Sequence, residues 1–326
     1  MRLTVVIPAT NQPETLGQAL EAIHAAAQPP EEIIVVDEPE RLGPAAARNL
    51  GARDAGGDLL VFIDADVAVE PDTFERLRSH FETSPGLTAV FGAYDDDPSD
   101  RRVVSSFRNL LHHYVHRGSA GRASTFWTGI GAVRRDAFIG INGFDEGYER
   151  ASIEDIEFGG RLSERGFEIL LDPEIQGKHL KTWSLREMIS TDILRRGAPW
   201  VALMLRRHSL PSTLNLGWRH RLSALALLGA IVFGIRAEGL EAALCVAAFL
   251  ALNVRFYYLL LRRRGVLSAL AGPFLHAVHH LSAILSVPIG VGLHLRRRRS
   301  RGKRAPVVPV SAETDESRGL VAVEGR

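Results

Sequence analysis

The chain has a single cysteine, Cys245, among 326 residues. A disulfide framework and a cysteine-based zinc site are therefore excluded. Net charge is scarce as well: 39 Lys and Arg against 38 Asp and Glu leave a formal +1. The opening MRLTVVIPATN carries one Arg and a short apolar run before it turns polar. It does not read as a secretory signal, so the first domain is expected to stay in the cytoplasm. No Gly-rich phosphate loop follows the first apolar run, where IPATNQPET stands instead. That argues against a nucleotidyltransferase.

The charges that are present are segregated. From Glu31 to Asp100 there are 17 acids and 5 bases, and from Arg195 to Arg264 there are 11 bases and 2 acids. The acidic half argues against a nucleic-acid partner and suits a site that recruits a metal cation. The basic half suits the anionic cytoplasmic face of a membrane.

Short apolar runs alternate with helical patterns over the first hundred residues. Strands are expected at 3–7, 32–37, 58–64 and 87–93, with helices at 15–27, 44–55 and 71–81 between them. Strands that are apolar throughout and separated by helices predict an α/β fold with a mostly parallel sheet covered on both faces. Ligands of such sheets sit outside the carboxyl ends of the strands. Asp37 and Asp64 both fall at such ends.

The second half changes character. Residues 184–210 mix basic and apolar positions as amphipathic, interfacial helices do. The region 216–295 reads as two to three hydrophobic helices, since the runs at 222–240, 240–261 and 266–295 reach or approach the length of a span. Arg-rich segments lie before the first run, after the second and after the third. Two spans with an interrupted, re-entrant third segment satisfy the positive-inside rule, and Pro273 and Pro288 favour that interruption. The remainder, 296–326, reads as a basic and then disordered tail.

Asp64 and Asp66 stand two apart where a strand ends. Paired on one side, two carboxylates with no sulfur beside them suit Mg2+ or Mn2+. By itself an Asp-x-Asp pair is more often a solvated turn than a site. Its setting narrows that choice. VVIPATNQPETL, IIVVDE, LGPAAARNLGARDAGGDLLVFIDAD and, far downstream, SIEDIEFGGRL occur in this order. Together they resemble the family 2 glycosyltransferases of the GT-A (Rossmann-like) fold, over roughly residues 1 to 210, and look closest to membrane-bound members with C-terminal spans.

The resemblance implies a role for each matching residue. Pro8, Asp37, Arg48, Asp64 and Asp66 match the donor side, with Asp37 on the nucleotide base, Asp64 near the ribose and Asp66 on the metal. Glu38-Pro39-Glu40 departs from the usual second Asp followed by Gly-Ser. Asp155 matches the general base, with Glu154 supporting it. Ser152 and Asp155 also have the form of a capping box, which needs no catalysis. Trp127, Gly129, His179, Lys181 and Trp183 match the acceptor side, and His179 matches a second metal position. The implied activity is inverting transfer of a sugar from a nucleotide diphosphate, UDP favoured and GDP or dTDP possible, to a lipid or polysaccharide acceptor. The implied place is the cell membrane, multi-pass, with the catalytic domain (1–210) cytoplasmic. An inactive, transferase-like scaffold is the alternative, although both acidic pairs are present.

Two histidine pairs remain. His112 and His116 have the helical i, i+4 spacing of a zinc pair but show no third ligand. His276 and His280 repeat that spacing in the third apolar run, where they read as a polar stripe rather than a metal or haem site.

Overall fold

The computed structural model describes residues 1–208, Leu214 and 217–302, with side chains through Arg296. The tail expected to be disordered lies, from residue 303 on, outside the described residues, and so does most of the linker at 209–216.

The strands expected from the apolar runs form where the pattern puts them. They are β1 (Leu3–Pro8), β2 (Glu32–Val36) and β3 (Leu59–Ile63), followed by the short β4 (Val67–Val69) and then β5 (Leu87–Tyr94). Helices α1 (Leu16–His24), α2 (Pro44–Asp54) and α3 (Thr73–Thr83) connect them, and α2 carries Pro at its start, where a missing N–H costs nothing. Beyond them come α4 (Val103–Arg117), β6 (Gly121–Ala123), β7 (Ile130–Arg134), α5 (Arg135–Gly140), α6 (Glu154–Glu164) and β8 (Glu168–His179).

These strands form one eight-stranded sheet in the order β2-β1-β3-β7-β5-β8-β4, with β6 also on β8. Helices cover both faces, as the apolar strands require. Leu59, Val61 and Ile63 point into one core with Phe74 and Leu77, while Leu60 and Phe62 point into the other with Phe138 and Phe158. The sheet is more mixed than strand–helix alternation predicts. β1–β2, β1–β3 and β5–β8 pair in parallel, but β7 enters antiparallel between β3 and β5, and β4 and β6 lie antiparallel on β8. β7 is five residues (IGAVR) with no helix before it, so no crossover signal announces it.

β8 is twelve residues long. Its pairing with β5 skips residues 172–175 as they pass Gly92. A Cβ on Gly92 would lie 2.1 Å from the Ile175 carbonyl oxygen, so only glycine fits there.

Of the segment 184–210, residues 185–207 are helical. α7 (Leu185–Ser190) starts on a capping box between Ser184 and Glu187, passes into a π-helical segment (Thr191–Gly197), and continues as α8 (Ala198–Arg207). Two apolar helices follow, α9 (Trp218–Ile235) and α10 (Gly239–Gly302). The expected interruption is displaced. α10 runs through both Pro273 and Pro288 and breaks at Gly265, whose φ of 79° suits glycine. There it folds back into two limbs, so that Phe256 meets His276 and Phe249 meets His280. The second limb packs along the π segment and α8, with Ser286 on Gly197 and Gly290 on Val201. A third core of Phe107, Leu110, Met188, Phe256, Leu260 and Leu275 joins α4 to these limbs.

Candidate active site

Parallel strands β2, β1 and β3 end at one edge, which places Pro8, Asp37 and Asp64 along it. Asp37 is exposed, and its loop is tied to the loop after β1 through Gln12 to Glu40 (3.0 Å) and Arg41 N to the Thr10 carbonyl (3.0 Å). Asp64 and Asp66 do not lie on the strand itself. They occupy the turn between β3 and β4, closed by Val67 N on the Asp64 carbonyl at 3.0 Å. Leaving the strand frees the two carboxylates from strand alternation, and they face different partners.

Asp64 faces Arg48. The guanidinium, only 3% exposed, donates to Asp64 Oδ1 at 2.6 Å and to Glu154 Oε1 at 3.0 Å. Arg48 is thus neither a surface charge nor an open ligand but a buried tie between the two sides of the cleft. Burial pushes the Asp64 carboxyl above its ordinary value, against the pull of Arg48.

Glu154 opens α6, and Asp155 follows it. The capping box suggested by Ser152 is absent: the Ser152 hydroxyl donates to the Arg195 carbonyl instead, and no side chain caps the helix. Among the described residues, the Asp155 carboxylate accepts only the N–H of Ile156, at 2.8 Å. Burial, together with the negative charge of Glu154, raises its pKa to about 7. A half-buried carboxyl titrating there can take a proton at neutral pH. α6 is fixed beneath it by Arg161, which donates to the Ile141 and Gly143 carbonyls at 2.6 Å each. At Gly159 a Cβ would fall 2.2 Å from Phe126 N, so the helix sits directly on the backbone of the Trp127 loop.

Asp66 faces His179. Nε2 of His179 lies 3.4 Å from Asp66 Oδ2, while Nδ1 lies 2.6 Å from Asn109 Oδ1. An amide oxygen only accepts, so Nδ1 carries a proton; Nε2 faces the aspartate, donating to it when the ring is protonated and offering a lone pair to a cation when the ring is neutral. The ring is buried and stacked on Tyr94 at 4.2 Å. Burial alone would raise Asp66, but the His179 contact and the charge of Lys181 hold it below the ordinary carboxylate range. A carboxylate and an imidazole lone pair at this spacing fit a divalent cation with ligands at about 2.1 Å, whose neighbouring donors stand about 3 Å apart.

The remaining expected residues divide. Gly129 lies at the site, since its carbonyl accepts from Asp64 N at 3.4 Å. Trp127 is half-buried between Tyr94 and His112. Lys181 lies 4.3 Å over the Trp183 ring, and burial lowers its pKa. Trp183 itself is 6% exposed and packs against Arg108, so it supports Lys181 from behind. Phe144, in the loop before α6, packs in the core among Phe62, Phe138 and Phe158 and is not one of the expected site residues. His116 bonds the Gly92 carbonyl, and His112 packs between Tyr94 and Trp127.

Sequence reasoning missed three contributors. Asn109 sets the His179 tautomer. Asn49 grips both the N–H and the carbonyl of Phe144 at 2.9 Å each, fixing the loop before α6. Arg196, exposed on the π segment, adds positive potential at Asp155 and Lys181. Only Asn49 carried a sequence signal, as the last residue of the ARN segment.

Residues 38–141 match the sequence family described as glycosyl transferase family 2, and residues 110–180 match that described as the N-terminal domain of galactosyltransferase. An uncharacterized glycosyltransferase of Haemophilus influenzae is 23% identical over 188 residues, covering 48% of this chain and 60% of that protein. A pre-mycofactocin glycosyltransferase of Mycobacterium tuberculosis is 27% identical over 166 residues, covering 49% of this chain and 34% of that protein. The chain thus spans less than two thirds of the length of the curated relatives it matches. Among solved structures, a mannosyltransferase of Pyrobaculum calidifontis in complex with GDP-Man and Mn2+ superposes with a TM-score of 0.51 at 14% identity, covering 91% of this chain and 88% of that one. At that identity the likeness concerns the fold. The chain is thus similar to family 2 glycosyltransferases over part of its length, and its fold is a GT-A-like α/β sheet followed by apolar helices.

Proposed function

We propose that the protein is an inverting glycosyltransferase that moves a sugar from a nucleotide diphosphate donor to a lipid-linked or membrane-delivered acceptor. The observation that carries this reading is the pairing of two acids across one cleft. Asp64 and Glu154 share Arg48, and beside them stand an aspartate raised to about 7 and an aspartate facing an imidazole lone pair.

In this reaction the acceptor hydroxyl attacks the anomeric carbon. Its proton passes to the Asp155 carboxylate, and the bond from the sugar to the diphosphate breaks with its electron pair on the leaving oxygen. A single displacement of this kind inverts the anomeric centre. Asp66 and His179 would hold a divalent cation, Mg2+ or Mn2+, which neutralises charge on the departing diphosphate. Lys181 and Arg196 add positive charge on the same side. Pro8, Asp37 and Asp64 line the edge where the nucleoside would lie, and Trp127 and Gly129 the acceptor side.

The membrane part of the proposal rests on apolar exposure. α9 and α10 are long and apolar enough to cross a bilayer, and their most apolar windows are only 11% and 22% buried. Leu225, Ile235, Leu240, Leu267 and Leu270 are each more than 60% exposed. A water-soluble chain rarely leaves so continuous an apolar surface uncovered. We place α1–α8 on the cytoplasmic side, where the basic residues of 195–264 meet anionic headgroups.

The deciding measurement is calorimetric titration of the detergent-solubilised chain with UDP, GDP and dTDP in the presence of Mn2+, followed by transfer assays with the matching sugars. Asp155→Asn is expected to keep donor binding and lose transfer. Near-normal turnover in that variant would sink the base assignment.

A further inference from the structure

Three histidines outside the cleft come together where α9 meets the second limb of α10. His220 stands in the first turn of α9, and His276 and His280 lie one turn apart on the limb. All three are buried, at 7%, 0% and 3% exposure. One ring nitrogen from each lies within 4.8 Å of the other two. His276 and His280 stack at 4.7 Å between ring centroids, and His220 stands 6.0 Å from His280.

The hydrogen bonding sharpens the picture. His220 Nδ1, His276 Nε2 and His280 Nε2 are all buried without a partner. A buried polar nitrogen with no partner costs free energy, and three in one place call for a common ligand. A neutral imidazole with nothing to donate to offers a lone pair, and three lone pairs are the protein ligand set of a tetrahedral ion with one open position. The far side of one ring is already held, since His276 Nδ1 lies 3.3 Å from the Tyr257 hydroxyl. Metal-bound imidazoles are oriented through their second nitrogen in this way. His220 also lines a cavity of about 1290 Å³ between α4, α9 and the first limb of α10.

We propose that His220, His276 and His280 form a binding site for a divalent first-row transition metal of the zinc class, which staples α9 to the second limb of α10. Ligands at about 2.0–2.1 Å around such an ion stand about 3.3 Å apart, so the three nitrogens close by about 1.5 Å at most when it binds. Arg219 opposes binding. Its Nη2 lies 3.3 Å from His220 Nε2, and its Nη1 donates to the Tyr114 hydroxyl at 2.8 Å. In the loaded site the proton of the neutral His220 ring sits on Nε2, Nδ1 faces the ion, and the Arg219 contact opens. Spacing alone could not show this site, because its third ligand comes from a different helix, 56 positions before His276.

The test uses the full chain in detergent with Asp66→Ala and His179→Ala, which remove the cation ligands of the cleft. Titration with Co2+, read by the visible d–d absorption of the tetrahedral ion, is expected to saturate at one equivalent. His276→Ala and His280→Gln should each weaken binding at least about tenfold. Arg219→Gln keeps all three imidazoles, removes the opposing charge and should bind about three- to tenfold tighter. No cobalt absorption in a chain that circular dichroism shows to be folded would overturn the site. So would a titration that the two histidine variants leave unchanged. If those variants fail to fold, Arg219→Gln decides: equal or weaker binding there overturns the assignment.

Discussion

Asp155→Asn is expected to make the protein more stable at alkaline pH while abolishing transfer. An aspartate lifted from an ordinary 3.8 to about 7 keeps its proton in the folded chain where the unfolded chain has lost it. Folded stability therefore falls as pH rises through that window, and the loss is complete once the folded carboxyl ionises. Each pH unit of the difference is worth about 1.4 kcal/mol, which sets a ceiling of roughly 4 kcal/mol. Water reaching the half-buried carboxyl brings the expected penalty to about 2 kcal/mol. An asparagine carries no charge and escapes the penalty. Thermal unfolding of both proteins in detergent, from about pH 5 to about pH 8.5, should show the variant gaining on the wild type as pH rises. The gap should reach about 4 °C or more above neutrality. Parallel curves across that range, with no gain for Asp155→Asn, would show that Asp155 is not a strained acid, and the pH argument for its role as base would fail.

Glu154→Gln removes the neighbouring negative charge that helps raise Asp155, so the acidic limb of the kcat/KM profile should move down by about one pH unit. A limb that stays in place would count against the coupling. Asp66→Ala and His179→Ala should each weaken Mn2+-dependent nucleotide binding at least about tenfold in calorimetry; wild-type binding indifferent to EDTA would refute the cation role. Asp192 is 6% exposed and holds Arg108 and His279 at 2.7 Å each. Asp192→Asn strands a buried guanidinium and should cost about 3–5 kcal/mol, read as a loss of thermal stability; a cost below about 1 kcal/mol would show that the clamp is not structural.

What was legible in the sequence was whatever repeats locally. Apolar runs gave β1, β2, β3 and β5, and Pro44 marked the start of α2, because burial on both faces leaves a continuous run of apolar residues. The acidic pairs were legible as motifs, and the role proposed for Asp155 comes from family resemblance rather than spacing. Antiparallel β7 was not legible, since pairing direction leaves no trace in five residues. Nor was the inward turn of Arg48, because its two partners stand 16 and 106 positions away. The tilt of Asp64 and Asp66 to different partners follows from a turn, where the two-residue period of a strand no longer applies. The break in α10 was misplaced for a related reason. Prolines cost a helix one bond each, but flanking packing carries the chain through, whereas Gly265 alone reaches the φ that reverses it.

A buried arginine between two acids is expensive to desolvate and adds little net stability over an apolar replacement. Its presence is better explained by placement. Arg48 ties Asp64 after β3 and Glu154 at the start of α6 to one rigid fork, so the distance between the two halves of the cleft is set before any ligand arrives. A second connection runs the other way. Arg108 and Asn109 are consecutive on α4, and one reaches Asp192 and through it His279 on the second limb, while the other sets the proton on His179. A shift of that limb large enough to part His279 from Asp192 therefore acts on the same helix turn that aims the His179 lone pair at Asp66. The cleft is held from two sides, by an ion pair within the α/β domain and by a helix shared with the apolar limbs, and each side orients one of the groups to which the proposed transfer assigns a role.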